Sequence, residues 1–192
     1  MKMAKKLLAV VLTGVMALSM LTGCAGIASR QVADELEDML KVANDKATVK
    51  VDKETLANNA VKVAKTEQGA LKETDALKTA VEAELKKDVA KDTYVWYTCV
   101  ETKDLNKTTK AQKIANVLIT IESNKAKINT TGAVNGADVK VDGKSDNIKA
   151  GNKFELSMKE FTVKETVNGK DTNVDYVMVV VTCKAVVAEA QG

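Results

Sequence analysis

The chain has 192 residues, room for a domain with a sizeable core, and with aromatics at only 3% that core must be aliphatic. It contains no histidine, which excludes Ser-His-Asp and Cys-His catalysis, His-ligated zinc and an imidazole switch near neutral pH. It contains no proline either, so stiff Pro-rich spacers and polyproline docking segments are excluded.

Lys2, Lys5 and Lys6 open the chain, and no charge follows from Leu7 to Leu21. Small residues then close the segment as Leu21-Thr22-Gly23-Cys24. A basic start, an apolar middle and small residues at a cut make the layout of an export signal. The last four residues resemble the lipobox of bacterial lipoproteins: an aliphatic residue, a small one, Gly, then Cys. That resemblance implies cleavage between Gly23 and Cys24 and a diacylglyceryl group on the Cys24 thiol. Residues 1–23 would then be the signal peptide and 24–31 a lipidated tether. The protein would sit at the extracytoplasmic face of the cell membrane, held by its fatty chains. Two alternatives stand beside it. A transmembrane anchor would need about 18–20 apolar residues, more than this run supplies. An ordinary secretory signal could instead be cut after Ala28.

Removing residues 1–23 takes away three lysines and no acids, leaving 26 basic against 26 acidic residues. A formal charge of zero gives no field to attract nucleic acid or anionic lipid. The expected partners are therefore the membrane, through the lipid, and an envelope protein or a glycan. No nucleic acid, cofactor or metal is expected.

Beyond the tether the spacing predicts one α+β domain over residues 32–188, helical over 32–90 and sheet over 93–188. Val32, Leu36, Met39, Leu40 and Ala43 share one helical face. Ala47, Val49 and Val51 alternate as in a short strand. Asp52 can cap a second helix carrying Leu56, Ala60 and Val63, broken by Gln68-Gly69. Thr74 can cap a third, with Leu77, Val81, Leu85 and Val89 at four-residue spacing. About three helices would thus pack on one face of an antiparallel sheet.

From residue 93 the period becomes two. Thr93–Thr102 and Lys113–Glu122 read as paired strands joined by the polar loop 103–110, with Val117, Ile119 and Ile121 on one face. Residues 123–129 read as a further short strand. Asn135-Gly136 and Asp142-Gly143 are turn signals. The last hairpin runs 153–167, turns at Asn168-Gly169 and returns over 173–187. Val177, Val179, Val181, Cys183, Ala185 and Val187 point one way, as in a central strand. In its first arm Phe154, Leu156 and Met158 share one parity while Phe161 and Val163 share the other. A β-bulge at Lys159-Glu160 would bring both sets to the same core.

Few residues suggest chemistry. Cys99 and Cys183 lie in predicted strands and form either a disulfide, permitted by export, or two buried thiols. Tyr94, Trp96 and Tyr97 hold half of all the aromatics and could form a surface that stacks on sugars or packs on a partner, against ordinary core packing. Ser145-Asp146-Asn147 matches one motif of penicillin-binding enzymes, but no Ser-x-x-Lys or Lys-Thr-Gly accompanies it, so it reads as a turn. Asp138, Asp142 and Asp146 invite a calcium loop, yet Lys140 and Lys149 fall where ligands belong. Glu35, Asp38 and Glu101 are not singled out by any spacing. The expectation is a membrane-anchored, non-catalytic binding or accessory domain. A solute- or glycan-binding lipoprotein is the alternative, then a hydrolase that needs no histidine.

Overall fold

The computed structural model of the protein describes residues 29–103, 105–167 and 170–188. In chain order these form α1 (Ser29–Leu40), β1 (Thr48–Val51), α2 (Thr55–Ala64), α3 (Thr74–Asp88) and β2 (Thr93–Glu101). Then come α4 (Lys107–Leu118), β3 (Ile119–Glu122), β4 (Lys125–Ile128), β5 (Ile148–Val167) and β6 (Lys170–Val187). The class is α+β. The main sheet has the order β1-β5-β6-β2, and β3 and β4 form a small hairpin of their own.

The sheet is mixed rather than antiparallel. β2 and β5 both run antiparallel to β6, but β1 lies parallel to β5, with Val49 opposite Phe154. A strand reached from β1 through α2, α3 and the rest of the chain is free to return in the same direction, which a hairpin turn would forbid.

Nor do the helices gather on one face. Val32, Leu36 and Leu40 of α1 and Ala111, Ile114 and Leu118 of α4 pack with Trp96, Leu156, Val179 and Val181. Ala57, Ala60 and Ala64 of α2 and Val81 and Leu85 of α3 pack with Val95, Val163, Met178 and Val180. Residues 94 and 96 belong to one layer and 95 to the other; along β6 odd and even numbers alternate in the same way. Alternate side chains of a strand point to opposite faces, so the sheet is covered on both sides. That explains the unbroken apolar run Val177–Val181, which a strand buried on both faces requires.

The change of parity in β5 has the same cause. Pairing with β6 is regular from Phe154 opposite Cys183 to Val167 opposite Lys170, so no bulge occurs at Lys159-Glu160. Phe154, Leu156 and Met158 fill the α1/α4 layer, and Phe161 and Val163 fill the α2/α3 layer. The register breaks instead between Ala150 and Phe154. There a Cβ on Gly151 would come within 2.9 Å of the Lys184 carbonyl, so glycine permits the close approach.

The predicted strand over 113–122 is mostly helix. Asn106 accepts from the Thr109 N–H at 2.9 Å while the Thr109 hydroxyl accepts from the Asn106 N–H at 3.0 Å, a reciprocal cap that starts α4. Val117 is helical, and only Ile119–Glu122 is extended, paired with β4. β2 therefore pairs with β6, not with this segment. Ser123 and Asn124, both at positive φ (48° and 64°), make the tight turn of that hairpin.

The helix starts also differ in detail. Asp52 is not a cap: its N–H extends the β1 ladder to the Leu156 carbonyl at 2.9 Å. Helix α2 begins behind Glu54, whose side chain makes no cap bond. Ser157 on β5 supplies it, its Oγ accepting from the Ala57 N–H at 3.2 Å and donating to the Lys53 carbonyl at 2.9 Å. Thr74 is the first residue of α3, behind Glu73. Helix α1 opens at Ser29 and so takes up three residues expected in the tether. The turn at Asn168-Gly169 lies outside the described residues, as does the signal segment with Gly23 and Cys24.

Candidate functional site

Tyr94 and Trp96 face one side of β2 and Tyr97 the other, as the alternation predicts, but they make no exposed platform. Tyr94 and Trp96 are buried, with ring centroids 5.8 Å apart, and Trp96 stands 6.4 Å from Phe154. The Trp96 indole N–H donates to the Asn129 carbonyl at 2.8 Å, so the polar end of the ring is satisfied from within. Tyr97 is half-buried on the α2/α3 side, where burial pushes its hydroxyl up to about 12. These rings pack as core, the second of the two readings, rather than as a flat exposed strand.

The two thiols are free. Cys183 packs in the α1/α4 layer and Cys99 against the α2/α3 layer, and β2 places Cys99 opposite Met178, five residues from Cys183. A sheet lies between them, so no bridge can form. Burial raises Cys99 to about 11 and Cys183 to about 12, far from the range of a reactive thiolate.

Two of the three acids, Glu35 and Asp38, are ion-paired. Glu35 meets Lys107 at 2.9 Å, linking α1 to α4, and Asp38 meets Lys41 at 3.5 Å. Glu101 is exposed at the end of β2. Asp142 and Gly143, at φ 51° and 77°, form a turn closed by the bridge between Val141 and Lys144. Asp138 points to Lys86 at 3.4 Å, and Ser145 and Asp146 are exposed. Among the described residues no three acidic or thiol side chains converge as a metal would require.

Several polar residues were invisible to the sequence reading, and each proves to be structural. Lys110 is 3% exposed, and its ammonium lies 3.0 Å from Glu160, which is 49% exposed. Asn135 closes the outer edge of β2: its Oδ1 accepts from the Val95 N–H at 3.1 Å and its Nδ2 donates to the Thr93 carbonyl at 2.7 Å. Beside it the Val134 N–H donates to the Val95 carbonyl at 2.8 Å. At the opposite edge the Glu37 carboxylate accepts from the Val49 N–H at 2.9 Å. The Lys41 ammonium and that N–H hold the Glu37 carboxyl below its usual range. At Val95 and Val49 the sheet edges are thus occupied by side chains where a second sheet could otherwise add. The only advance signal was the turn Asn135-Gly136, which marks the loop but not its role.

Between α4 and β2 lies a crevice of about 10 Å³, walled by Trp96, Thr98, Ile114, Val117, Leu118 and Val181. That is about the size of one water, and its apolar lining would keep it dry. Among the described residues no helix is long and apolar enough to cross a membrane.

The exposed surface is not uniform from end to end. Its exposed large apolar side chains are Val42 after α1, Val51 at the end of β1, Ile121 in β3, and Val186 and Val187 at the end of β6. At the other end β5 and β6 run on as a two-stranded ribbon past Tyr176, where β2 stops. The chain matches no family model, no curated protein and no solved structure.

Proposed function

We propose that the chain is an envelope lipoprotein whose folded part is a non-catalytic binding or accessory domain, held at the extracytoplasmic face of the membrane by acylated Cys24. The observation that carries this reading is the position of Leu21-Thr22-Gly23-Cys24. It ends an uncharged run, and four residues separate it from Ser29, where α1 opens. A cut there leaves a soluble-looking fold on a very short leash. Two or more fatty chains at about 0.8 kcal/mol per buried CH₂ hold such a body stably where one chain would not.

The interior supports a binding or accessory role rather than catalysis. The buried polar side chains Lys110, Asn135 and Ser157 are each taken up by bonds that close an edge, cap a helix or join two elements. The thiols are held neutral by burial. Growth with a clickable palmitate analogue tests the anchor: the wild-type protein should incorporate it and Cys24→Ala should not. Equal labelling of both, or of neither, contradicts the reading.

A further inference from the structure

We infer that the open half of the β2 edge, Tyr97 to Glu101, pairs with the same residues of a second copy of this chain, antiparallel about a two-fold axis at Cys99. The first half of that edge is closed, because Asn135 and the Val134 N–H take up the outward groups of Thr93 and Val95. Pairing with β6 is regular from Thr93 to Glu101, so outward-pointing groups recur at every second residue. Those of Val95 point outward, and those of Tyr97, Cys99 and Glu101 therefore do so too. Among the described residues nothing bonds the N–H or the carbonyl of these three. The window ends in a turn, where the Thr102 carbonyl accepts from the Leu105 N–H at 3.1 Å. Edge strands are ordinarily blunted by Lys, Pro or a bulge. Tyr-Thr-Cys-Val-Glu has none of these and consists largely of residues that favour strands.

The symmetry of the window makes a second copy its occupant. With Cys99 in the middle, the outward residues are their own complement. An antiparallel copy sets Cys99 opposite Cys99, Tyr97 opposite Glu101 and Thr98 opposite Val100. Every outward N–H and carbonyl of both strands then has a partner. Glu101, the one charge in the window, meets a phenol rather than another carboxylate. Burial, and after it Glu82 of α3, pushes the Tyr97 hydroxyl up to about 12, so the phenol keeps the proton it would donate. Thr98 and Val100 are both β-branched, a favourable cross-strand pair. The pairing is isologous: it consumes the open edge of each copy and stops at two. So short an edge buries less than an interface of standard size, and the dimer forms as concentration rises.

Thr98→Cys with Val100→Cys, on a Cys99→Ala background of the full chain, tests the pairing. In that register positions 98 and 100 form non-hydrogen-bonded pairs with Cα atoms about 4.5 Å apart, within reach of a disulfide. The full-length protein, purified in detergent, is oxidised with copper–phenanthroline over a range of concentrations and separated without reductant. A reducible dimer is expected, at least tenfold above both the Cys99→Ala parent and either single Cys variant. Cross-linking no greater than in the parent, an equal dimer from Thr98→Cys alone, or a ladder of trimers and higher species overturns the pairing. Sedimentation equilibrium of the unsubstituted chain gives a second reading that no folding defect can blur. Its mass should rise toward two copies with concentration, and a monomer throughout overturns the proposal.

Discussion

Lys110 shows how much one residue can be asked to hold. Its side chain is buried, and Glu160 is its ion-pair partner. Removing that partner strands a desolvated cation, whereas removing the cation costs little, because an apolar side chain of similar length fills the same space. Glu160→Ala should therefore destabilise by about 1–3 kcal/mol, while Lys110→Met should be neutral or stabilising. Urea melts of both variants check this, and a larger loss in Lys110→Met would contradict it. The thiols and phenols make a second case. Burial raises Cys183 from an ordinary 9.0 to about 12, and Tyr97 from 10.0 to about 12. The unfolded chain sheds these protons first, so their contribution is complete below pH 9 and is lost as pH climbs toward 12. The melting temperature should fall steadily above pH 9, and Cys183→Ala should flatten part of that slope. An unchanged melting temperature up to pH 11 would refute the burial argument.

Among the elements, those with a single strong period were legible. Leu36, Val81 and Leu85 announced their helices, the alternation through Val177–Ala185 announced a central strand, and Asp142-Gly143 announced its turn. α4 was misread because Val117, Ile119 and Ile121 alternate across the point where helix becomes strand. The helical spacing of Ala111, Ile114, Ala115 and Leu118 and the Asn106/Thr109 cap were there to be weighed against it. Direction and layering were beyond reach for a different reason. Whether β1 runs parallel to β5, and whether a second apolar parity means a bulge or a second covered face, depends on contacts about a hundred residues apart. The same holds for the edge of β2. Asn135 pairs with Val95 and Thr93, forty residues upstream, so nothing local to it reveals the role. Asn135→Ala leaves a buried N–H and a carbonyl without partners and should cost roughly 1–3 kcal/mol. It should also raise hydrogen exchange at Val95 above that of its neighbours, and unchanged protection there would show that the loop, not the side chain, guards the edge.

At the scale of the whole molecule, the described residues form a sheet with two helices on each face, edges closed at Val95 by Asn135 and at Val49 by Glu37, and two unlike ends. One end is drawn out into the polar ribbon that β5 and β6 form past Tyr176. At the opposite end of β6, Val186 and Val187 are exposed. Residues 24–192 carry 26 basic and 26 acidic side chains, so a chain cut before Cys24 has no net charge to draw it to a membrane. On the proposed reading, attachment comes from covalent lipid on Cys24. Top-down mass spectrometry of the protein recovered from its own membranes tests this most directly. The account requires a mature chain that starts at Cys24 and is heavier by a diacylglyceryl group on that residue. A chain bearing an unmodified Cys24, or one beginning at Ser29, would contradict it.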